Sequence, residues 1–162
     1  MRTRHVIATT AAALLLTACG GGTDRVTPRP TQTVSSMPTT LLDGSHGCPA
    51  APATPPDTFI DVKGASADHA SLYALLFSAY PIPHGKDAKI AWRMTGAGDL
   101  TLTATGPDGT TIKPSWMEYH GGSSWQRPGT EWGSGLKFTK PGCWIVHARR
   151  GTAEATASLL VG

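Results

Sequence analysis

Residues 87–95 read DAKIAWRMT, and this stretch decides the fold class. Apolar and polar side chains alternate along it, with Ile90, Trp92 and Met94 on one face. A β-strand points successive side chains to opposite faces of a sheet, so this alternation is typical of a strand with one buried face. The stretch therefore predicts an antiparallel sheet that covers a hydrophobic core.

Comparable short segments recur along the chain, separated by turn residues. Residues 106–109 read GPDG, a strong turn sequence, because proline presets φ at one corner and glycine accepts positive φ at another. Short strands with turns every 8–12 residues or so predict an all-β fold, an antiparallel β-sandwich. The further predicted strands cover residues 58–62, 99–105, 110–113, 136–139, 143–149 and 154–161.

Residues 70–80 leave two secondary structures open. Leu72, Leu75 and Leu76 fit one face of a helix. Residues 72–77 also form a short apolar run bounded by turn residues, which suits a buried strand. We favour the strand.

The first 18 residues have the features of a secretory signal peptide. Arg2 and Arg4 precede an apolar run that is too short to span a bilayer. Residues 16–19 read LTAC and resemble the lipobox of bacterial lipoproteins, which implies a diacylglyceryl group on Cys19. Two acyl chains anchor a protein stably, so we expect a lipid-anchored protein on the extracytoplasmic face of the cell membrane.

Residues 19–47 are rich in Gly, Thr, Pro and Ser. Such a composition buries too little apolar surface to offset the entropy of ordering the chain. The sequence therefore predicts a flexible tether here, followed by a folded domain over residues 48–162.

The charge balance argues against one class of partner. Loss of Arg2 and Arg4 with the signal peptide leaves 12 of the 14 basic side chains against 11 acidic ones, without a dense basic cluster. Nucleic acid is therefore not an expected partner. We expect a monomer whose partners are the membrane, through Cys19, and a cell-wall glycan or envelope protein.

Two cysteines, Cys48 and Cys143, remain once Cys19 carries lipid. Outside the cytoplasm the ordinary expectation is that they form a disulfide. A metal site that includes His46 is the alternative, although the spacing of a known metal motif is missing. We expect no metal.

Residues 115–135 are predicted to form a long loop rich in aromatic and polar side chains. Tryptophan is costly to expose, and binding residues concentrate on loops held by a rigid scaffold. A stacking platform for a sugar ring or a protein partner is one interpretation, and tryptophans that fold back over the core are the other. The candidate ligand-binding residues are Trp116, His120, Trp125, Arg127 and Trp132.

Motifs of common enzymes are missing from the sequence. It contains no G-x-S-x-G, no H-E-x-x-H and no phosphate-binding loop. We therefore expect a non-catalytic binding module without a cofactor. A carbohydrate or peptidoglycan binder is the first alternative, and a small envelope hydrolase that depends on His120 or Glu131 is the second.

Two resemblances support this interpretation. Residues 138–147, FTKPGCWIVH, resemble the penultimate strand of bacterial immunoglobulin-like domains, which implies that Trp144, Val146 and Ala148 point into the core. The segments 92–96, 106–109, 125–132 and 142–144 together resemble actinobacterial secreted lipoproteins of unknown function. Those proteins carry Cys-Pro near the domain start and Gly-Cys-Trp near its end. The resemblance implies the Cys48–Cys143 bridge and supplies no activity.

Overall fold

Eleven β-strands and no helix make up the part of the chain that the computed structural model describes, residues 35–54, 56–66 and 69–162. The predicted signal peptide, Cys19 and the first part of the predicted tether lie outside the described residues. The strands are β1 (Thr39–Asp43), β2 (Phe59–Lys63), β3 (Ala65–Ser66), β4 (Leu72–Leu76), β5 (Asp87–Met94), β6 (Leu100–Thr105), β7 (Thr111–Ile112), β8 (Trp116–His120), β9 (Thr130–Lys137), β10 (Gly142–Arg150) and β11 (Ala153–Val161).

The strands form two sheets that face each other across one core. The six-stranded sheet has the order β1-β2-β4-β5-β9-β8, and the five-stranded sheet has the order β3-β11-β10-β6-β7. Neighbouring strands are antiparallel except β1 and β2, which are parallel. The predicted immunoglobulin-like β-sandwich is confirmed.

Alternating side chains from both sheets fill the core, as the sequence pattern predicts. Trp92 and Trp132 are paired across β5 and β9 and both are buried. Trp144 of β10 is also buried, with its ring edge-on to Phe138 at 5.3 Å between centroids. Aromatic pairs favour this edge-to-face arrangement. The expectation that Trp92 and Trp144 belong to the core is confirmed.

Residues 70–80 contain a strand, as favoured over a helix. β4 pairs with both β2 and β5, so it lies inside the sheet. Its central residues Ala74 and Leu75 are both buried, on opposite faces. A strand covered on both faces is apolar throughout, which explains the continuous run and its ambiguity in sequence.

The prediction of a long loop over residues 115–135 is wrong. Most of this segment belongs to the hairpin of β8 and β9, and only residues 121–129 connect the two strands. The predicted strand 136–139 is correspondingly the end of β9, which begins at Thr130 and ends at Lys137. Glycines at 133 and 135 interrupt the alternation, because glycine is depleted in strands and leaves no side chain to mark a face.

The prediction of a tether up to residue 47 is wrong for its last part. Thr39–Asp43 form β1 at the edge of the six-stranded sheet. Gly44 then links the two sheets, since its N–H donates to Lys63 O of β2 at 2.9 Å and its carbonyl accepts from Ser158 N of β11 at 3.0 Å. The folded unit therefore includes β1, ahead of the predicted boundary at residue 48.

The disulfide between Cys48 and Cys143 is present, with 5.6 Å between the Cα atoms. It joins the chain that follows β1 to the start of β10. Tyr80 holds the same segment, because its hydroxyl donates to Pro49 O at 2.7 Å. Burial raises the pKa of Tyr80 to about 12.

Candidate functional site on the outer face of the six-stranded sheet

The six-stranded sheet has a second packed layer on the face that points away from the core, which we call the outer face. Leu75 and Ala91 are neighbours across β4 and β5 and point to this face. The 121–129 connection folds over them and places Trp125 against both, with 1% of the tryptophan exposed. Trp125 therefore covers the sheet and is unavailable as a stacking surface.

A buried carboxylate fixes this connection to the sheet. Asp61 of β2 is fully buried on the outer face and is paired in register with Leu75. Its Oδ2 atom accepts a hydrogen bond from Trp125 Nε1 at 3.2 Å and an ion-paired hydrogen bond from Arg127 Nε at 2.5 Å. The loop is thus anchored by one neutral and one charged donor that converge on one oxygen.

The environment of Asp61 is electrostatically costly. Burial raises the pKa of this carboxyl above 3.8, although the bonds from Trp125 and Arg127 oppose the rise. The second oxygen, Oδ1, is buried without a hydrogen-bond partner in the structure. A buried carboxylate with one unsatisfied oxygen depends strongly on its remaining partners.

A second polar cluster, formed by Arg93, Glu131 and His120, lies beside the Asp61 cluster on the same face. Arg93 of β5 donates from Nε to Glu131 Oε2 at 3.0 Å and from Nη1 to Arg127 O at 2.7 Å. The other oxygen of Glu131 lies 3.2 Å from Nδ1 of His120, whose side chain is mostly exposed. Arg93 therefore connects the loop that carries Arg127 with the β8–β9 hairpin.

Beside the loop, an uncovered line of side chains crosses the outer face. It consists of Phe59, Phe77, Lys89 and Trp116, and we call it the aromatic row. The rings of Phe59 and Phe77 are 5.2 Å apart between centroids, and Lys89 Nζ lies 5.1 Å from the Phe77 centroid. Lys89 is paired in register with Gly135, which is paired with Trp116. The three aromatic side chains are each about 40% exposed.

Trp116 lies over two glycines of β9. A Cβ atom on Gly135 would meet Trp116 Nε1 at 2.2 Å, and one on Gly133 would meet Cζ3 at 3.1 Å. The indole therefore packs against bare backbone, and it keeps 43% of the residue exposed. Glycines in a strand are often covered by an aromatic neighbour in this way.

The opposite end of the row borders a cleft of about 260 Å³. Phe59 and Phe77 form part of its wall, and Pro52, Pro56 and Tyr80 form another part. The row is thus continuous with a recess lined by rings.

Four of the five predicted ligand-binding residues share the outer face, in different roles. Trp116 and His120 are exposed on β8, whereas Trp125 and Arg127 belong to the buried cluster around Asp61. Trp132 lies on the other face, in the core, with the Arg150 guanidinium 4.6 Å from its ring centroid. The five side chains therefore form no single platform. The role of Trp125 matches the interpretation of a tryptophan that folds back.

Sequence reasoning missed Phe59, Phe77 and Lys89. Phe59 and Lys89 each lie two residues from an outward-facing side chain of their strand, Asp61 and Ala91. When a strand has apolar residues on both faces, its sequence does not indicate which of those residues are exposed. The detectable signal was the alternation of residues 87–95, which places Lys89 on the face of the strand that points away from Trp92 and the core.

The described residues hold no group of three or more His, Cys, Asp or Glu side chains that could bind a metal ion. Over the same residues, no helix has the length and apolar character needed to cross a membrane.

Comparison with known proteins gives no match among family models, curated proteins or solved structures. The function therefore has to be argued from the outer face itself.

Proposed function

We propose that this protein is a lipid-anchored, extracytoplasmic and non-catalytic binding module, and that the aromatic row is its binding surface. One observation carries the proposal: three exposed aromatic side chains and a lysine lie in one line across a hydrogen-bonded sheet. Contiguous exposed apolar side chains on a soluble domain commonly mark interaction sites.

The position of the row on strands supports binding rather than accidental exposure. Binding groups on strands are held more rigidly than those on loops. The 121–129 connection is fixed beside the row by Asp61, Arg93 and Arg127, so the row has a rigid side wall. A rigid surface loses little entropy when a ligand binds.

The proposed location rests on the sequence alone. The basic start, short apolar run and LTAC at residues 16–19 resemble a lipoprotein signal, and the segments noted above resemble actinobacterial lipoproteins. The Cys48–Cys143 disulfide is the structural feature that suits an oxidising compartment.

Replacement of Cys19 by serine tests the anchor. Cys19→Ser removes the thiol that would carry the lipid, so we expect the protein to leave the membrane fraction or to remain unprocessed. Immunoblotting of soluble and membrane fractions measures this, with Ser45→Ala as a control variant that keeps Cys19. Unchanged membrane association of Cys19→Ser would contradict the proposed anchor.

Tryptophan accessibility tests the binding surface. Trp116 is the exposed member of the five tryptophans, because Trp92, Trp125, Trp132 and Trp144 are all buried. Insoluble bacterial cell-wall fragments should bind the purified full-length protein and protect Trp116 from quenching by acrylamide. Phe77→Ala should weaken this binding.

Ile145→Ala is the matched control, because Ile145 is 42% exposed on the other sheet. Equal binding by both variants would show that the binding surface is not the aromatic row. Full quenching of Trp116 at saturation with fragments would do the same.

A further inference from the structure

We infer that the aromatic row recognises an acidic polysaccharide, with sugar rings stacked on its aromatic side chains and an acidic group of the sugar bound by Lys89. This inference rests on the proposed function, since it names the ligand of the same surface.

The row has the dimensions of an extended oligosaccharide site. From Phe59 to Trp116 it crosses β2, β4, β5, β9 and β8, which are four steps between neighbouring strands. Neighbouring strands lie about 4.8 Å apart, so the row is about 19 Å long. It is one side chain wide, because the 121–129 connection covers the next register line at Asp61, Leu75 and Ala91. A narrow, straight line suits a linear chain.

The exposed surfaces of the row are ring surfaces. Trp116 is backed by the Gly133 and Gly135 backbone, so its free surface faces outward over the sheet. Sugar rings present flat C–H surfaces that pack on aromatic faces while their hydroxyl groups stay solvated. Phe59 and Phe77 offer a second stacking position at the other end of the row.

Lys89 decides between classes of ligand. In the described part of the chain, no carboxylate forms a salt bridge with Lys89, and its ammonium group lies over the Phe77 ring. An apolar partner that covered the row would bury this charge without a counter-charge, which is strongly unfavourable. An anionic group in the ligand removes that cost and adds a charge-assisted hydrogen bond.

Lys89 is the positive charge that is available to bind the acidic group of the sugar. Asp87 and Lys137 lie one register line further along the same face, are paired with each other, and cancel in charge. Glu118 lies on the same face beside Trp116, at the β8 end of the row. A carboxylate or sulfate on the sugar therefore meets the positive charge of Lys89 in the middle of the row, away from Glu118.

Fluorescence titration of the full-length protein in detergent micelles tests the inference, with hyaluronate as the acidic polysaccharide and neutral dextran for comparison. We expect hyaluronate to bind, to protect Trp116 from acrylamide, and to bind far more tightly than dextran. Lys89→Gln should weaken hyaluronate binding about tenfold, the effect of one charge-assisted hydrogen bond. Trp116→Ala should weaken it by a similar factor, and Trp116→Phe, which still covers the glycines, should restore part of the affinity; because both variants lack the reporter indole, their binding is measured by titration calorimetry.

Two control variants lie on the outer face of the other sheet. Ile145→Ala and Arg149→Gln change an exposed apolar and an exposed basic residue there, and neither should alter binding. Polyglutamate supplies the negative charge without sugar rings, and it should not protect Trp116.

The outcomes separate the inference from the proposed function. Equal protection by polyglutamate, dextran binding as tight as hyaluronate binding, or hyaluronate binding that Lys89→Gln does not change, would each overturn the acidic polysaccharide as ligand. Protection by cell-wall fragments but by no soluble polysaccharide would also overturn it and would leave the binding surface standing. If no probe protects Trp116, both proposals fail.

Discussion

At the scale of single residues, Asp61 is a fully buried carboxylate on the outer face, and its charge needs a partner. Burial raises its pKa above 3.8, so the folded state holds the proton more tightly than the unfolded chain does. The contribution of Asp61 to stability therefore falls as pH rises from its ordinary pKa through the raised one. Above this window the carboxylate is charged, and Arg127 compensates for that charge.

Replacement of Arg127 should expose this dependence. We expect Arg127→Gln to lower the free energy of unfolding by about 3 kcal/mol at pH 8, because a buried charge loses its partner. The loss should be smaller at pH 4, because the raised pKa of Asp61 favours protonation as the pH falls and a protonated carboxyl needs no counter-charge. Urea unfolding of variant and wild type at both pH values measures the difference. Lys140→Gln, which breaks the exposed pair with Asp108, should change the stability little at either pH. Equal losses at both pH values would contradict the role given to Arg127.

Gly135 gives a second test at this scale. A Cβ atom there would lie 2.2 Å from Trp116 Nε1, so Gly135→Val should push the indole off the sheet. We expect stronger acrylamide quenching of Trp116 and weaker ligand binding in this variant. Gly121→Val is the control, because its nearest contact would be an ordinary 3.6 Å to Tyr119. Unchanged quenching in Gly135→Val would show that Trp116 does not rest on β9.

The site could be predicted from sequence only in part, for reasons visible at single residues. Aromatic content drew attention to the segment with Trp116 and Trp125, and both proved to lie on the outer face. Their opposite exposure depends on Asp61, which is 64 residues away from Trp125 in the chain. A contact between such distant residues leaves no mark in the local pattern.

At the scale of elements, strands with a regular local pattern were predicted well, whereas β1, β8 and most of β9 were not. β5, β6, β10 and β11 alternate cleanly and agree with prediction within about one residue at each end. β9 carries glycines where its outer face meets Trp116, so its pattern is broken. β1 is a five-residue edge strand whose partner, β2, follows after a long irregular segment. The local sequence pattern therefore does not identify β9 or β1 as a strand.

Removal of β1 should weaken the sandwich. A chain that begins at residue 48 lacks the pairing of Thr39–Asp43 with Phe59–Lys63 and the Gly44 link between the sheets. We expect it to unfold at a lower temperature than a chain that begins at residue 35. It should also aggregate more, because β2 becomes an unprotected edge strand. Thermal unfolding and light scattering of the two chains measure this, and identical melting temperatures would show that β1 is dispensable.

At the scale of the whole molecule, the two outer faces differ in character. The five-stranded sheet presents mainly polar side chains outward, including Thr101, Thr103, His147 and Thr156. The six-stranded sheet carries a buried ionic cluster and the aromatic row. The fold therefore has one chemically distinctive side, and the proposed binding function belongs to it.

The disulfide should supply a large share of the stability of this sandwich. It closes a loop with a sequence separation of 95 residues, for which chain-entropy arguments give about 4–5 kcal/mol. We expect the double variant Cys48→Ala, Cys143→Ala to lose up to that amount in urea unfolding. Ser45→Ala, which touches only an exposed contact with Asp43, should be neutral. A loss under about 1 kcal/mol in the double variant would mean that the cross-link adds little here.

The same cross-link also decides how the molecule carries mechanical tension. A load applied between the N-terminal segment and the end of β11 enters at β1, reaches Cys48 and crosses directly to Cys143. The chain between the two cysteines lies outside this covalent path, and it contains the whole aromatic row, from Phe59 to Trp116. β1 can be peeled away under force while every strand that carries the row stays inside the covalent loop. Force on the N-terminal segment therefore passes through the disulfide and leaves the residues of the aromatic row inside the closed covalent loop.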